Sequence, residues 1–73
     1  MMRAQDQRTA LRRFHELLVT LHHYRDELDT AKREGLELVA GASLRAIRIQ
    51  HALIRGHCAT TGLPRPDDVP AEH

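Results

Sequence analysis

A histidine and a cysteine lie seven residues apart in the second half of the chain, at His51 and Cys58. On a helix this spacing places both side chains on one face. Imidazole and thiolate are zinc ligands, but a tetrahedral site needs four, so two more would come from other chains or from the first half of this one. The alternative is a buried histidine that fixes helix register and partner number, beside a cysteine that acts as a small apolar side chain.

A second candidate metal site pairs His23 with Glu27, which share a helix face because they are four residues apart. The chain has no paired Glu-x-x-His motifs of the kind that di-iron bundles use. A solvated polar face explains the pair more simply. We therefore predict neither a metal nor a cofactor, with His51, Cys58, His23 and Glu27 as the candidate ligands if one binds.

Three arginines, Arg45, Arg48 and Arg55, form a narrow polar strip on the same helix as His51. Such a strip could contact phosphates, which makes a nucleic-acid-binding regulator an alternative function. However, no aromatic residue lies between the arginines for base stacking, and the net charge is only +1 with neutral histidines. The strip is equally explained as the solvated edge of an apolar helix.

Catalysis finds no support in the sequence. The serine and threonines are not set in a nucleophile elbow, and no glycine-rich phosphate loop is present. A chain of 73 residues that forms two helices also offers no cleft of substrate size. We expect a non-enzymatic protein.

The first element that positions these residues is a helix predicted over residues 9–34, after a frayed segment at 1–8. Its apolar side chains recur every three or four residues, as a one-sided amphipathic helix requires. They are Leu11, Phe14, Leu18, Leu21 and Leu28. Arg25 interrupts this face, at a place where the spacing calls for another apolar residue.

Gly35 is the predicted end of this helix, because a glycine followed by an apolar residue, Leu36, is typical of a Schellman cap. Gly41 is the alternative turn. The second helix is predicted over residues 37–60. Beyond it, glycine and three prolines exclude further helix, and we expect residues 62–73 to form a proline-rich disordered tail.

The second helix is apolar on two sides. We call one side the first stripe, which comprises Val39, Ala42, Ala46, Ile49 and Leu53. The second stripe comprises Leu36, Ala40, Leu44, Ile47, Ile54 and Cys58. One partner helix covers only one stripe, so two stripes indicate two partners.

The sequence therefore predicts an all-α antiparallel hairpin, completed as a four-helix bundle by dimerisation or by docking on a partner. Small residues favour the first stripe for the contact within the chain. The predicted partner interface is then Leu44, Ile47, His51, Ile54 and Cys58. The reverse assignment, with Ala42, Ala46, Ile49 and Leu53 exposed, stays open.

The function we expect is that of a non-catalytic helical interaction protein, such as an adaptor, small chaperone or regulatory subunit. Its partner is a second copy or a larger helical protein, with nucleic acid as the less favoured partner. A metal-dependent sensor or assembly that uses His51 and Cys58 is a further alternative. No apolar run approaches the ~18 residues of a membrane span, and we expect a cytoplasmic protein.

Overall fold

Two helices packed against each other form the architecture, which confirms the predicted helical hairpin. The computed structural model describes residues 4–71, with α1 at Ala4–Glu34 and α2 at Glu37–Thr61. The start of α1 differs from the expectation, because the described part of the predicted frayed segment, residues 4–8, is helical. Residues 1–3 of that segment lie outside the described range.

The turn between the helices is at Gly35, where φ is 69°. The N–H of Gly35 donates to the Lys32 carbonyl at 3.3 Å, and the N–H of Leu36 donates to the Ala31 carbonyl at 2.8 Å. These two bonds make a Schellman motif, which satisfies the last carbonyls of α1 and reverses the chain in two residues. Gly41, the alternative turn, lies inside α2.

The core forms where α1, α2 and the C-terminal segment meet. Its buried side chains are Leu17, Leu21, Ile47, Ile54, Cys58 and Val69. Ile54 and Val69 are both fully buried, at 0% exposure. The α2 contribution therefore comes from the second stripe, and that stripe contacts both α1 and the C-terminal segment.

Two polar side chains of α2 reach across to backbone carbonyls of α1. The Gln50 Nε2 donates to the Leu17 carbonyl at 2.9 Å and is buried. The His57 Nε2 lies 2.8 Å from the Ala10 carbonyl. Because a carbonyl oxygen only accepts, this ring nitrogen carries the hydrogen. These bonds fix how far α2 can slide along α1.

The C-terminal segment, residues 62–71, is called the tail below. We predicted disorder over residues 62–73, but the structure lays the tail along the hairpin, while residues 72 and 73 are outside the described range. Gly62 ends α2 with φ 79° and donates its N–H to the Cys58 carbonyl at 2.9 Å. The prolines do exclude a helix, but a segment without helix can still pack apolar side chains, and here Val69 is fully buried while Leu63 packs against the core.

Candidate interaction surfaces

The predicted partner interface lies largely inside the hairpin. Ile47, Ile54 and Cys58 are at most 7% exposed and pack inside the chain, so they are not available to a partner. His51 is half-buried, and Leu44 is 41% exposed at the edge of the contact. The structure thus reverses the assignment of the two stripes. The reason is that α1 and the tail both pack on the second stripe, where Ile54 joins one core cluster with Leu21 of α1 and Val69 of the tail.

The first stripe faces outward along α2, with four of its five residues exposed and Ala46 half-buried. Ile49 is 63% exposed, Leu53 is 47% exposed and Val39 is 46% exposed. Its five members are spaced alternately by three and four residues, which is the spacing of a and d positions in a coiled-coil seam. Leu38, beside the stripe, is 90% exposed. Among residues 4–71, this is the extended apolar surface of α2 that no element of the chain covers.

The two edges of the first stripe differ in charge. On the α1 side, a shallow open depression brings His23 and Glu27 beside Val39. His23 Nε2 and Glu27 Oε1 are 3.0 Å apart, so this edge carries an acidic residue paired with a titratable one. On the far side, Arg45 lies three residues after Ala42 and is exposed, which places it next to the stripe. One edge is therefore acidic and the other basic.

The predicted arginine strip is divided between two environments. Arg45 and Arg48 are exposed, as a phosphate-binding strip requires. Arg55 is half-buried, and its Nη1 donates to the Pro70 carbonyl at 3.1 Å. Arg55 therefore helps to hold the tail. The predicted phosphate-binding strip is left with two exposed arginines, Arg45 and Arg48.

The candidate metal ligands stay in separate places. Cys58 is buried, and its thiol lies 3.8 Å from the Pro64 carbonyl, whereas His23 and Glu27 lie on the outer surface of α1. Within the described range, no three side chains of His, Cys, Asp or Glu come together in a metal-binding arrangement. Burial raises the pKa of the Cys58 thiol, which lowers its thiolate fraction and its reactivity.

Sequence reasoning missed the residues that hold the tail. Arg25 donates from Nη1 to Asp68 Oδ2 at 2.7 Å and from Nη2 to the Asp68 carbonyl at 3.3 Å. The hydrogen bond from Arg25 is the main reason that the pKa of Asp68 lies below its ordinary value. One signal was present in the sequence, since Arg25 interrupts the core-facing side of α1 and a guanidinium there needs an acceptor.

Neither helix, over the residues described, combines the length and the apolar character needed to cross a bilayer. Comparison with known proteins finds no matching family model, no matching curated protein and no matching solved structure. The surfaces described above are therefore the basis for any functional conclusion.

Proposed function

We propose that this chain is a non-catalytic helical interaction protein that pairs with a second copy of itself through the first stripe. The observation that carries the proposal is the uncovered a/d seam on α2, with Ile49 63% exposed and Leu53 47% exposed. Apolar side chains at that spacing are buried most effectively by another helix. Two hairpins joined in this way make a four-helix assembly, which could serve as an adaptor, small chaperone or regulatory subunit.

Symmetry supports a second copy as the partner. A two-fold interface uses the same surface on both chains, so it must be self-complementary. If the two α2 helices lie side by side in parallel, the basic edge of each first stripe faces the acidic α1 edge of the other copy. The small residues Ala42 and Ala46 in the seam let the helices approach closely.

The register of the hairpin supports one candidate ion pair between the two copies. Gln50 opposite Leu17 and His57 opposite Ala10 set the alignment of the helices. By that alignment, Arg45 lies level with the part of α1 just before His23. Glu27 is then nearly one and a half turns away, roughly 7.5 Å along the axis at ~1.5 Å per residue, which is within reach of an arginine side chain. We expect Arg45 of each copy to contact Glu27 of the other.

The first test replaces an apolar residue of the first stripe by a charged one. Leu53→Glu places a charge in the proposed interface and is expected to weaken self-association by about tenfold or more, since an unpaired charge would be buried. Leu44→Glu is the matched control, because Leu44 is exposed to a similar extent on the other side of α2. Native mass and sedimentation over a concentration range measure the effect. A wild-type chain that stays monomeric up to high micromolar concentration would contradict the proposal.

The second test exchanges charges between the edges. Arg45→Glu and Glu27→Arg should each weaken the homodimer, because each places like charges opposite one another. A mixture of the two variants should form a heterodimer, in which both contacts become attractive. Asp29→Arg, an exposed acidic position on the other side of α1, is the control and should not rescue Arg45→Glu. Failure of the mixture to associate, while the Leu53→Glu result holds, would reject the register but keep the dimer.

A further inference from the structure

The groove that holds the tail has the components of a peptide-binding site. A segment without helix or strand lies against the hairpin, turns at Pro66–Val69 and inserts one fully buried side chain, Val69, into the core, while Leu63 packs partly buried against it. Val69 is fully buried, beside Leu21 from α1 and Ile54 from α2. The contact therefore resembles a ligand seated between two helices rather than a third element of regular structure.

Two arginines, one from each helix, bind the tail on both sides of this anchor. Arg25 of α1 makes a paired contact with the carboxylate and carbonyl of Asp68, at 2.7 Å and 3.3 Å. Arg55 of α2 donates to the Pro70 carbonyl at 3.1 Å. The charge-assisted bond from Arg25 to the carboxylate favours an acidic residue, whereas the donors to the Asp68 and Pro70 carbonyls recognise the main chain of any residue. The groove thus selects an acidic residue followed by an aliphatic residue, with a main-chain carbonyl one residue further on.

Hydrogen bonds within the tail itself shape the docked segment. The Val69 N–H donates to the Pro66 carbonyl at 3.1 Å, and Arg65 donates to the Val69 carbonyl, so a turn presents the anchor. Pro66 and Pro70 restrict the backbone on either side of Val69. A segment restricted in this way loses less conformational entropy on binding.

We propose that this groove is a peptide-recognition site that the chain's own tail occupies, and that it binds a segment of another protein in which an acidic residue precedes an aliphatic residue presented by a similar turn. The resident tail gives the ligand chemistry, and Arg25 gives the charge that the ligand must complement. Because the tail is tethered at Gly62, it competes at an effective concentration in the millimolar range. A segment of another protein therefore binds only when its affinity and concentration overcome the effective concentration of the tethered tail, or when the tail has undocked. This surface is distinct from the first stripe and does not depend on the dimer.

The test uses the full chain with its own tail disabled. Asp68→Lys with Val69→Asp reverses the charge at the clamp and removes the apolar anchor. A fluorescent synthetic peptide of residues 62–71 is titrated into this double variant and followed by anisotropy. We expect saturable binding to the double variant and at least tenfold weaker binding to the wild type, whose groove is filled. A peptide that carries the same two substitutions is the matched control and should not bind.

Protection of Cys58 is the second readout, because the docked tail lies over its thiol. Its reaction with a thiol reagent should be faster in the double variant and slow again when the peptide is added. If the double variant loses its helical circular dichroism, Asp68→Lys alone is used, since the Asp68 side chain is 60% exposed and its substitution leaves the core intact.

Three results would overturn the proposal. The first is absence of peptide binding to a variant that keeps its helix content. The second is equal binding of the wild-type and control peptides. The third is a wild-type dimer that survives Leu53→Glu but is lost in the double variant, because tails exchanged between two copies would then be the true occupants.

Discussion

Val69→Ala is the most direct perturbation of the contact between tail and hairpin. The substitution removes two methyl groups from a side chain that is 0% exposed. At ~0.8 kcal/mol per buried carbon, the lost transfer free energy is about 1.6 kcal/mol. A cavity of roughly 50 Å³ adds about 1.2 kcal/mol at ~24 cal/mol per Å³. The free energy of unfolding should therefore fall by close to 3 kcal/mol. If the tail undocks instead, the decrease is limited to the free energy with which the tail docks on the hairpin.

Two measurements separate these outcomes. Urea unfolding followed by circular dichroism gives the free energy of unfolding of the hairpin. The rate at which Cys58 reacts with a thiol reagent reports tail opening, since the Cys58 residue is only 6% exposed in the docked state. A docking loss of about 3 kcal/mol corresponds to a rate increase of about 100-fold. A large rate increase with a small change in urea stability would mean that the tail opens independently of the helices.

Val19→Ala is the matched control, because Val19 is 53% exposed on α1. Its effect should stay within about 0.5 kcal/mol, as for most surface substitutions. The reasoning is refuted if Val69→Ala also changes stability by less than that amount and leaves the Cys58 reaction rate unaltered.

Three further predictions concern other contacts. Gln50→Met keeps the side-chain volume but removes the hydrogen bond to the α1 carbonyl, and should cost about 1 kcal/mol in urea unfolding. Because Arg25 lowers the pKa of Asp68, this contact stabilises the docked tail above the ordinary aspartate pKa and is lost as pH falls through the lowered value. Methyl NMR signals of the tail should therefore broaden or shift as the pH falls below about 4. Gly41→Ala should raise the free energy of unfolding by about 0.5–1 kcal/mol, since an added Cβ meets only ordinary contact with the Arg45 side chain, at 3.7 Å.

The hairpin could be predicted because its signals are local. Gly35 followed by Leu36 specifies a helix end within a few residues, and the 3.6-residue apolar period identifies both helices. Which stripe of α2 faces inward was not predictable in the same way. That choice depends on the shape of α1 and on the tail together, and helical periodicity contains information about neither.

The tail was the least predictable part of the chain. Its proline content correctly excludes a helix, but composition does not reveal a single anchoring side chain such as Val69. The contact between Arg25 and Asp68 joins residues 43 positions apart, so no local sequence pattern predicts it. A charged residue on the core face of α1 was the available clue, and it indicates that a partner exists without saying where.

The Gln50–Leu17 and His57–Ala10 bonds also imply an order of folding. The first joins residues 33 positions apart and the second joins residues 47 positions apart, so the loop to be closed lengthens steadily away from Gly35. Loop closure costs more entropy as the loop grows, and contacts near the turn therefore form first. We expect the contacts between α1 and α2 to form first near Gly35 and then progressively further from the turn. In unfolding, the end of the hairpin that carries His57 should separate first.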